Sequence, residues 1–395
     1  MDETTSQQGP WNLDALSAAP EVYPADGFAA EGVRPLFYRG PDWQGRPTRV
    51  FAWYGVPEQR TDRKLPAMVL VHGGGGTAFD DWVRLWNSRG YAAIAMDTCG
   101  CVAGGEHANR PRHEHGGPPG WGGFEQIDQP VHDQWPYHAV ADVILANSLL
   151  RSFPEIDPQR IGVTGVSWGG YLTCIVSGVD SRFRFAAPVY GCGYLHENSG
   201  WLDTFAQMGP EKAHKWWSLW DPSVYLPRAA MPMLWVSGTN DSHYPLDSLQ
   251  KSYRLPEGPR TLSIRVNMPH GQDDGAQPGE IAAFADHHLH SGPPLPSFGS
   301  QRPERRHVWI TFFSKTPIVR AELNYTTDMG PWVDRQWHRN PVDLDPGQGR
   351  VIAPLPEATT AYYVNLIDNR DLVTSGEHVE LASHRPDEEP LSSQD

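Results

Sequence analysis

Ile161-Gly162-Val163-Thr164-Gly165-Val166-Ser167-Trp168-Gly169-Gly170-Tyr171 is the stretch on which the fold turns. A short β-branched run enters a Gly-x-Ser-x-Gly, and an apolar, helix-compatible segment (171–176) leaves it. Strand, tight turn and helix in that order form a nucleophile elbow. A serine hydroxyl is a weak nucleophile, so it must stand clear of the backbone and face a base. The turn that exposes it crowds the chain on either side, and Gly165 and Gly169 supply the missing side chains. The following helix aims its N-terminus at the site, which favours developing negative charge. The competing reading is a glycine-rich turn with an incidental serine.

Working outward, strands alternate with helical spacing from residue 67 to 290. Ala67–His72 and Tyr91–Asp97 are short and continuously apolar, as strands buried on both faces of a parallel sheet are. Between them Phe79, Trp82, Leu85 and Trp86 fall at helical spacing. Residues 98–134 are rich in Gly, Pro and His and too long for a plain connection, which marks a functional loop or binding rim. A helix is expected over 137–153, then the elbow. Strands follow at 185–190, 233–237 and 261–266, and a last helix at 281–288. Ahead of the parallel run, 33–38 and 48–54 read as two strands joined by a turn.

This order predicts an α/β fold: a doubly wound, mostly parallel sheet. Residues 1–30 read as an irregular lead-in, 31–292 as the catalytic unit with a lid-like excursion at 193–230, and 293–306 as a stiff, proline-rich linker. Beyond it, strand-like runs at 308–313, 319–325, 349–352 and 360–367 with no helical stretch predict a small C-terminal β-sandwich over 307–384 of immunoglobulin or fibronectin type. Residues 385–395 are charged and Ser/Pro-rich, the composition of a disordered tail.

Composition narrows the partners. With 395 residues, 39% hydrophobic and 20% charged, the chain can build a large core and exceeds a typical single domain. A formal net charge of −15 argues against nucleic acid and anionic membranes as partners. Cys99, Cys101, Cys174 and Cys192 form no C-x-x-C pair, so no structural zinc is expected, and Cys99 and Cys101 are too close for an easy mutual disulfide. Free thiols are compatible with a reducing compartment. The polar, acidic residues 1–8 lack a signal-peptide pattern, so the chain as it stands reads as cytoplasmic; a removed leader would make it secreted or periplasmic. No apolar run approaches membrane-spanning length. Nothing in the sequence fixes the oligomeric state.

An activated serine needs a base, a group that orients the base, and donors for an oxyanion. Asp241, in Gly238-Thr239-Asn240-Asp241, follows the 233–237 strand, where open α/β sheets build their sites. His270, in Met268-Pro269-His270-Gly271, follows the next strand at the same end. His243 is the rival base and Asp273 or Asp274 the alternative acid; Asp241 also suits an ordinary helix cap. His72-Gly73-Gly74-Gly75-Gly76 closes the first parallel strand, and its glycines let backbone N–H groups of Gly74 or Gly75 turn toward an oxyanion beside that of Trp168. A phosphate-cradling loop would need a Gly-Lys-Ser/Thr ending that this segment lacks.

With these motifs in Ser, acid, His order, the chain resembles the α/β-hydrolase superfamily over about residues 60–290. The form is similar to the branch of prolyl-oligopeptidase-like, dienelactone-hydrolase-like and acetyl xylan esterase-like proteins. The resemblance implies Ser167, Asp241 and His270 as a catalytic triad working without metal or cofactor. Peptidases of that branch carry a large β-propeller ahead of the catalytic domain, and fewer than about 70 residues precede the first parallel strand here. Dienelactone hydrolases use cysteine where this elbow holds serine. Both departures point to a serine carboxylesterase acting on small-acyl, acetyl-type esters, including those of carbohydrates. The alternatives are a peptidase or amidase, or an inactive carbohydrate-binding or scaffold protein.

Sixteen tryptophans colour the substrate question. Trp121, Trp135 and Tyr137 fall in or beside the long loop, and Trp201, Trp216, Trp217 and Trp220 in the excursion. Trp135, Tyr137, Trp216 and Trp217 are candidate substrate contacts, since aromatic faces suit sugar rings or aromatic esters; the competing reading packs them into the roof's own core. His107, His113, His115, His132 and His138 match no metal-binding spacing, and no metal is expected. Asp97 and Asp133 suit either a pocket wall or a cap. Trp309, Trp332 and Trp337 give the C-terminal unit two readings, a carbohydrate surface or a packing module.

Overall fold

The structure, a computed structural model, describes residues 9–58, 63–304 and 306–381. The predicted tail 385–395 and the polar segment 1–8 lie outside them.

Nine strands form one twisted sheet in the order β1-β2-β3-β5-β4-β6-β7-β8-β9. They are β1 (Val22–Pro24), β2 (Arg34–Trp43), β3 (Arg46–Gly55), β4 (Leu65–Val71), β5 (Ala92–Met96), β6 (Ile156–Val166), β7 (Ala186–Val189), β8 (Met233–Gly238) and β9 (Arg260–Arg265). From β5 to β9 neighbouring strands run parallel, whereas β1, β2 and β3 form an antiparallel edge. Sequence pattern and burial agree. Helices cover both faces of the centre, so every residue of β5 and β7 is buried. The peripheral β2 shows alternate burial instead, as a strand with one wet face does.

The helices Trp135–Ser152 and Trp168–Ser177 pack on the sheet, and the second is buried along its whole length. The 193–230 excursion holds two further helices, Leu202–Met208 and Pro210–Trp220. The lead-in is more ordered than expected. Asn12 accepts a hydrogen bond from the Ala15 N–H to start a short helix, and β1 joins the sheet edge. A three-residue strand whose partner lies some way along the chain leaves little periodicity to read.

The C-terminal segment builds two antiparallel sheets. One contains Ser297–Glu304, His307–Phe313, Arg350–Pro354 and Asp343–Asp345; the other contains His338–Pro341, Ile318–Thr326, Ala361–Asp368 and Val373–Ser375, with Val379–Glu380 pairing beside Ala361–Asp368. Ser297–Glu304 lies within the stretch expected to be linker; it pairs with His307–Phe313 across a bulge. Val308, Ile310, Leu323, Val351, Val364 and Leu366 fill the core between the sheets, giving a β-sandwich-like unit. Ala361–Asp368 is buried at every position. Tyr362, Val364 and Leu366 face the sandwich core, and the alternate residues Ala361 and Tyr363 join the core around the nine-stranded sheet. The small unit is thus packed onto the large one through a strand with two buried faces.

Candidate active site

Ser167 is the N-cap of the helix Trp168–Ser177, with φ 58° and ψ −119°. A non-glycine residue rarely adopts positive φ, and here the turn holds it there. A Cβ on Gly169 would lie 2.0 Å from the Val71 carbonyl oxygen, and one on Gly165 would lie 2.2 Å from that of Gly169. No side chain fits at either position. The Ser167 N–H donates to the Val189 carbonyl at 2.9 Å, which anchors the turn to β7.

The serine Oγ lies 2.9 Å from His270 Nε2, and His270 Nδ1 lies 2.6 Å from Asp241 Oδ2. Asp241 is buried, and its other carboxylate oxygen accepts the N–H groups of His243 (2.9 Å) and Tyr244 (2.8 Å). One oxygen therefore fixes the loop while the other faces the imidazole. The Tyr190 hydroxyl donates to the Pro269 carbonyl at 2.8 Å and its ring packs 4.7 Å from that of His270. The structure thus brings Ser167, Asp241 and His270 together. His243 stands beside this line, its ring 4.9 Å from that of His270 and its Nδ1 2.9 Å from Ser242 Oγ. Partial burial and the neighbouring His270 hold the His243 imidazole below its ordinary pKa. Asp273 and Asp274 are exposed on the next short helix, and His270 Nδ1 faces Asp241 instead of either of them.

The glycine loop after β4 runs against the serine. A Cβ on Gly73 would lie 3.1 Å from Ser167 Cβ, and one on Gly74 would touch the Trp168 and Trp121 indoles. His72 braces the loop from beneath. Its Nε2 accepts the Thr98 N–H at 3.0 Å, so the proton sits on Nδ1, which donates to the Gly73 carbonyl at 2.7 Å. Burial pushes the His72 pKa down and keeps the ring neutral. Gly75 does not line the cavity; its carbonyl accepts from the Ala108 N–H (2.9 Å) and Arg110 Nε (3.3 Å). The Trp168 N–H, first of its helix, has no intrahelical acceptor.

Ser167 opens into a cavity of about 550 Å³. Its walls include Phe79, His107, Trp121, Trp201, His243 and Gln272. Trp135, Tyr137, Trp216 and Trp217 do not line it, which corrects the expectation that they contact substrate. Trp135 donates its indole N–H to the Thr98 carbonyl at 2.7 Å and lies behind Trp168. Trp216 donates to the Gly122 carbonyl at 2.8 Å and stacks on Phe124. Tyr137 stacks on Trp11, and Trp217 on His196. Trp216 thus ties the excursion to the long loop, Trp135 holds the start of that loop, Tyr137 packs on the lead-in, and Trp217 packs within the excursion. The cavity aromatics Trp121 and Trp201 come from the same two segments; Phe79 reads in sequence only as part of a helical spacing, and Gln272 carries no signal for the cavity.

The remaining loop groups are structural. Asp97 Oδ1 accepts the N–H groups of Cys99 (2.8 Å) and Cys101 (2.7 Å), pinning the start of the 98–134 loop. Asp133 accepts the Gln44 N–H at 2.8 Å. The four cysteines are buried and free; burial pushes the Cys99 thiol well up and that of Cys101 to about 11. The loop histidines form no ligand cluster among the described residues. Asp241, His243 and His270 do bring ligand atoms within 4.8 Å of one another, but both His270 nitrogens are engaged by Asp241 and Ser167. Among the described residues no helix is long and apolar enough to cross a membrane.

Comparison with known proteins agrees with this architecture. The acetyl xylan esterase family model matches residues 36–197, and the model of PhoPQ-activated pathogenicity-related protein matches residues 202–326. The acetyl xylan esterase from Paenibacillus sp. R4 superposes with a TM-score of 0.56 at 23% identity, covering 73% of this chain and 100% of that one. Acetyl xylan esterase 1 from Thermoanaerobacterium sp. JW/SL YS485 gives 0.52 at 17% identity, covering 71% and 94%. The uncharacterized peptidase YuxL of Bacillus subtilis is 25% identical over 264 residues, 61% of this chain and 37% of the relative's length. The chain has the α/β-hydrolase fold.

Proposed function

We propose that this α/β-hydrolase superfamily protein is a serine carboxylesterase for esters of small, acetyl-type acyl groups, with acetylated carbohydrates as the first substrate class to test. The observation that carries the reading is the line from Asp241 Oδ2 through His270 to Ser167 Oγ, at 2.6 and 2.9 Å, ending in an open cavity.

In this mechanism His270 Nε2 takes the proton as Ser167 Oγ attacks the ester carbonyl. Asp241 holds the Nδ1–H tautomer and stabilises the imidazolium that forms. The tetrahedral oxyanion rests on the Trp168 N–H and on an N–H of the Gly73–Gly74 turn. Collapse expels the alcohol, protonated by His270, and leaves an acyl-serine. Water, deprotonated by the same imidazole, then releases the acid. All groups come from this chain and no cofactor takes part. Trp121 and Trp201 offer ring faces to the leaving group, and His107, His243 and Gln272 offer polar atoms, a mix suited to a sugar. The acetyl xylan esterase match over residues 36–197, which hold the elbow, supports an ester over an amide.

A second reading, amide or peptide cleavage, is favoured by the peptidase relative. One panel separates them: p-nitrophenyl esters from acetyl to octanoyl, acetylated xylo-oligosaccharides, and aminoacyl arylamides. The esterase reading expects kcat/KM to fall as the acyl chain lengthens and the arylamides to be poor substrates. Preferential arylamide turnover would replace it with the peptidase.

A further inference from the structure

Asn240, immediately before Asp241, reaches across the seam between the two units. Its Nδ2 donates to the Arg335 carbonyl at 2.7 Å and the Val333 carbonyl at 3.0 Å, both in the 331–335 turn of the C-terminal unit. Its Oδ1 accepts the Thr239 hydroxyl at 2.6 Å. That hydroxyl oxygen in turn accepts the Asn267 N–H at 3.0 Å, three residues before His270. A single chain of hydrogen bonds therefore runs from the C-terminal unit through the acid-bearing loop to the base-bearing loop.

The turn that receives Asn240 is itself rigid. Arg335 Nε donates to the Gly330 carbonyl at 2.9 Å, and its guanidinium lies 3.6 Å over the Trp332 ring. Trp332 stacks on Trp337 with 13° between the rings, and Trp337 packs on Tyr363 of the doubly buried strand. Trp332 and Trp337, offered by sequence as carbohydrate contacts, are buried at this seam. This aromatic and cationic brace carries the carbonyls that accept from Asn240, the residue next to the proposed acid.

We propose that the C-terminal unit positions the triad, with Asn240 and Thr239 as the positioning residues that set Asp241 and His270 relative to each other. Asn240 touches no substrate; it acts through the loop. Asn240 is half-buried beside the fully buried Thr239, and with both ends of its amide bonded neither end can shift without losing a hydrogen bond. A displacement of about 1 Å in such a line costs on the order of 100-fold in rate.

The inference rests on the serine-hydrolase reading, and its test keeps the two apart. The full-length protein is treated with a fluorophosphonate, and the rate of adduct formation on Ser167 is followed by mass spectrometry together with Tm and p-nitrophenyl acetate kinetics. Wild-type protein that forms no adduct removes the reading and the inference together. Given wild-type labelling, N240A and T239V are expected to label at least ~10-fold more slowly and to lose kcat with KM within about twofold. E377Q is the control. Glu377 pairs with Arg254 and Arg260 on the same seam but away from both loops, so its loss lowers Tm and leaves the labelling rate unchanged. Wild-type labelling by N240A, or by T239V if N240A does not fold, overturns the inference. So does an E377Q rate that falls in proportion to its Tm alongside N240A, because that is general destabilisation.

Discussion

The serine turn and the acid loop hold two members of one candidate site by different means. Around Ser167 the constraint is local and steric. Gly165 and Gly169 admit the turn because backbone oxygens of the following helix and of β4 occupy the space a Cβ would need. Around Asp241 the constraint is remote and polar. Two backbone N–H groups hold one oxygen, and Asn240 ties the loop to carbonyls more than 90 residues downstream. A steric turn written in consecutive residues is visible as a motif. A hydrogen-bond chain assembled from two units leaves no pattern in sequence.

Substitutions at the two regions separate these accounts. At the turn, Ser167→Ala and His270→Ala should each lower kcat for p-nitrophenyl acetate by about 10⁴–10⁶-fold, with circular dichroism unchanged; a loss under tenfold would remove the triad. Gly169→Ala should fail by folding, since its Cβ would meet the Val71 carbonyl at 2.0 Å, with destabilisation of about 3 kcal/mol or more in urea unfolding. A folded, active G169A would show that the turn is looser than its geometry. At the acid loop the expected loss is smaller, about 10–100-fold for N240A, and it falls on kcat. His243→Ala should lose less than about tenfold, because His243 flanks the Asp–His–Ser line; a loss equal to that of His270→Ala would make His243 the base.

The gentlest effect is on stability against pH. His113, His138 and His288 are pushed by burial to about 4, and His378 at the seam to about 3. Each lies below the unfolded value of about 6.5. Between those limits the unfolded chain binds more protons than the folded one, so stability is full above about 6.5 and declines as pH falls toward 4. Tm measured at pH 5 should be lower than at pH 7. A Tm that is level or rises on acidification would mean that these imidazoles are charged in the folded protein.

Much of this architecture was legible. The continuous apolar runs at β4 and β5 and the elbow each reflect a local physical demand, the Ser, Asp, His order follows the superfamily the chain resembles, and the strands and loops they imply are found. The lining of the cavity was not legible. Trp135 and Trp216 share their segments with Trp121 and Trp201, and sequence cannot say which indole N–H will meet a buried carbonyl and which ring will face the open space. The strands Val22–Pro24 and Ser297–Glu304 were missed for a related reason. Both are short or interrupted by proline or glycine, and they are strands because of the partner they pair with.

The most direct test of the central claim is the fluorophosphonate adduct itself, mapped by peptide mass spectrometry on the folded wild-type protein. The account predicts one adduct, on Ser167, abolished in H270A. No adduct on folded protein, or an adduct on another serine that persists in H270A, would contradict it.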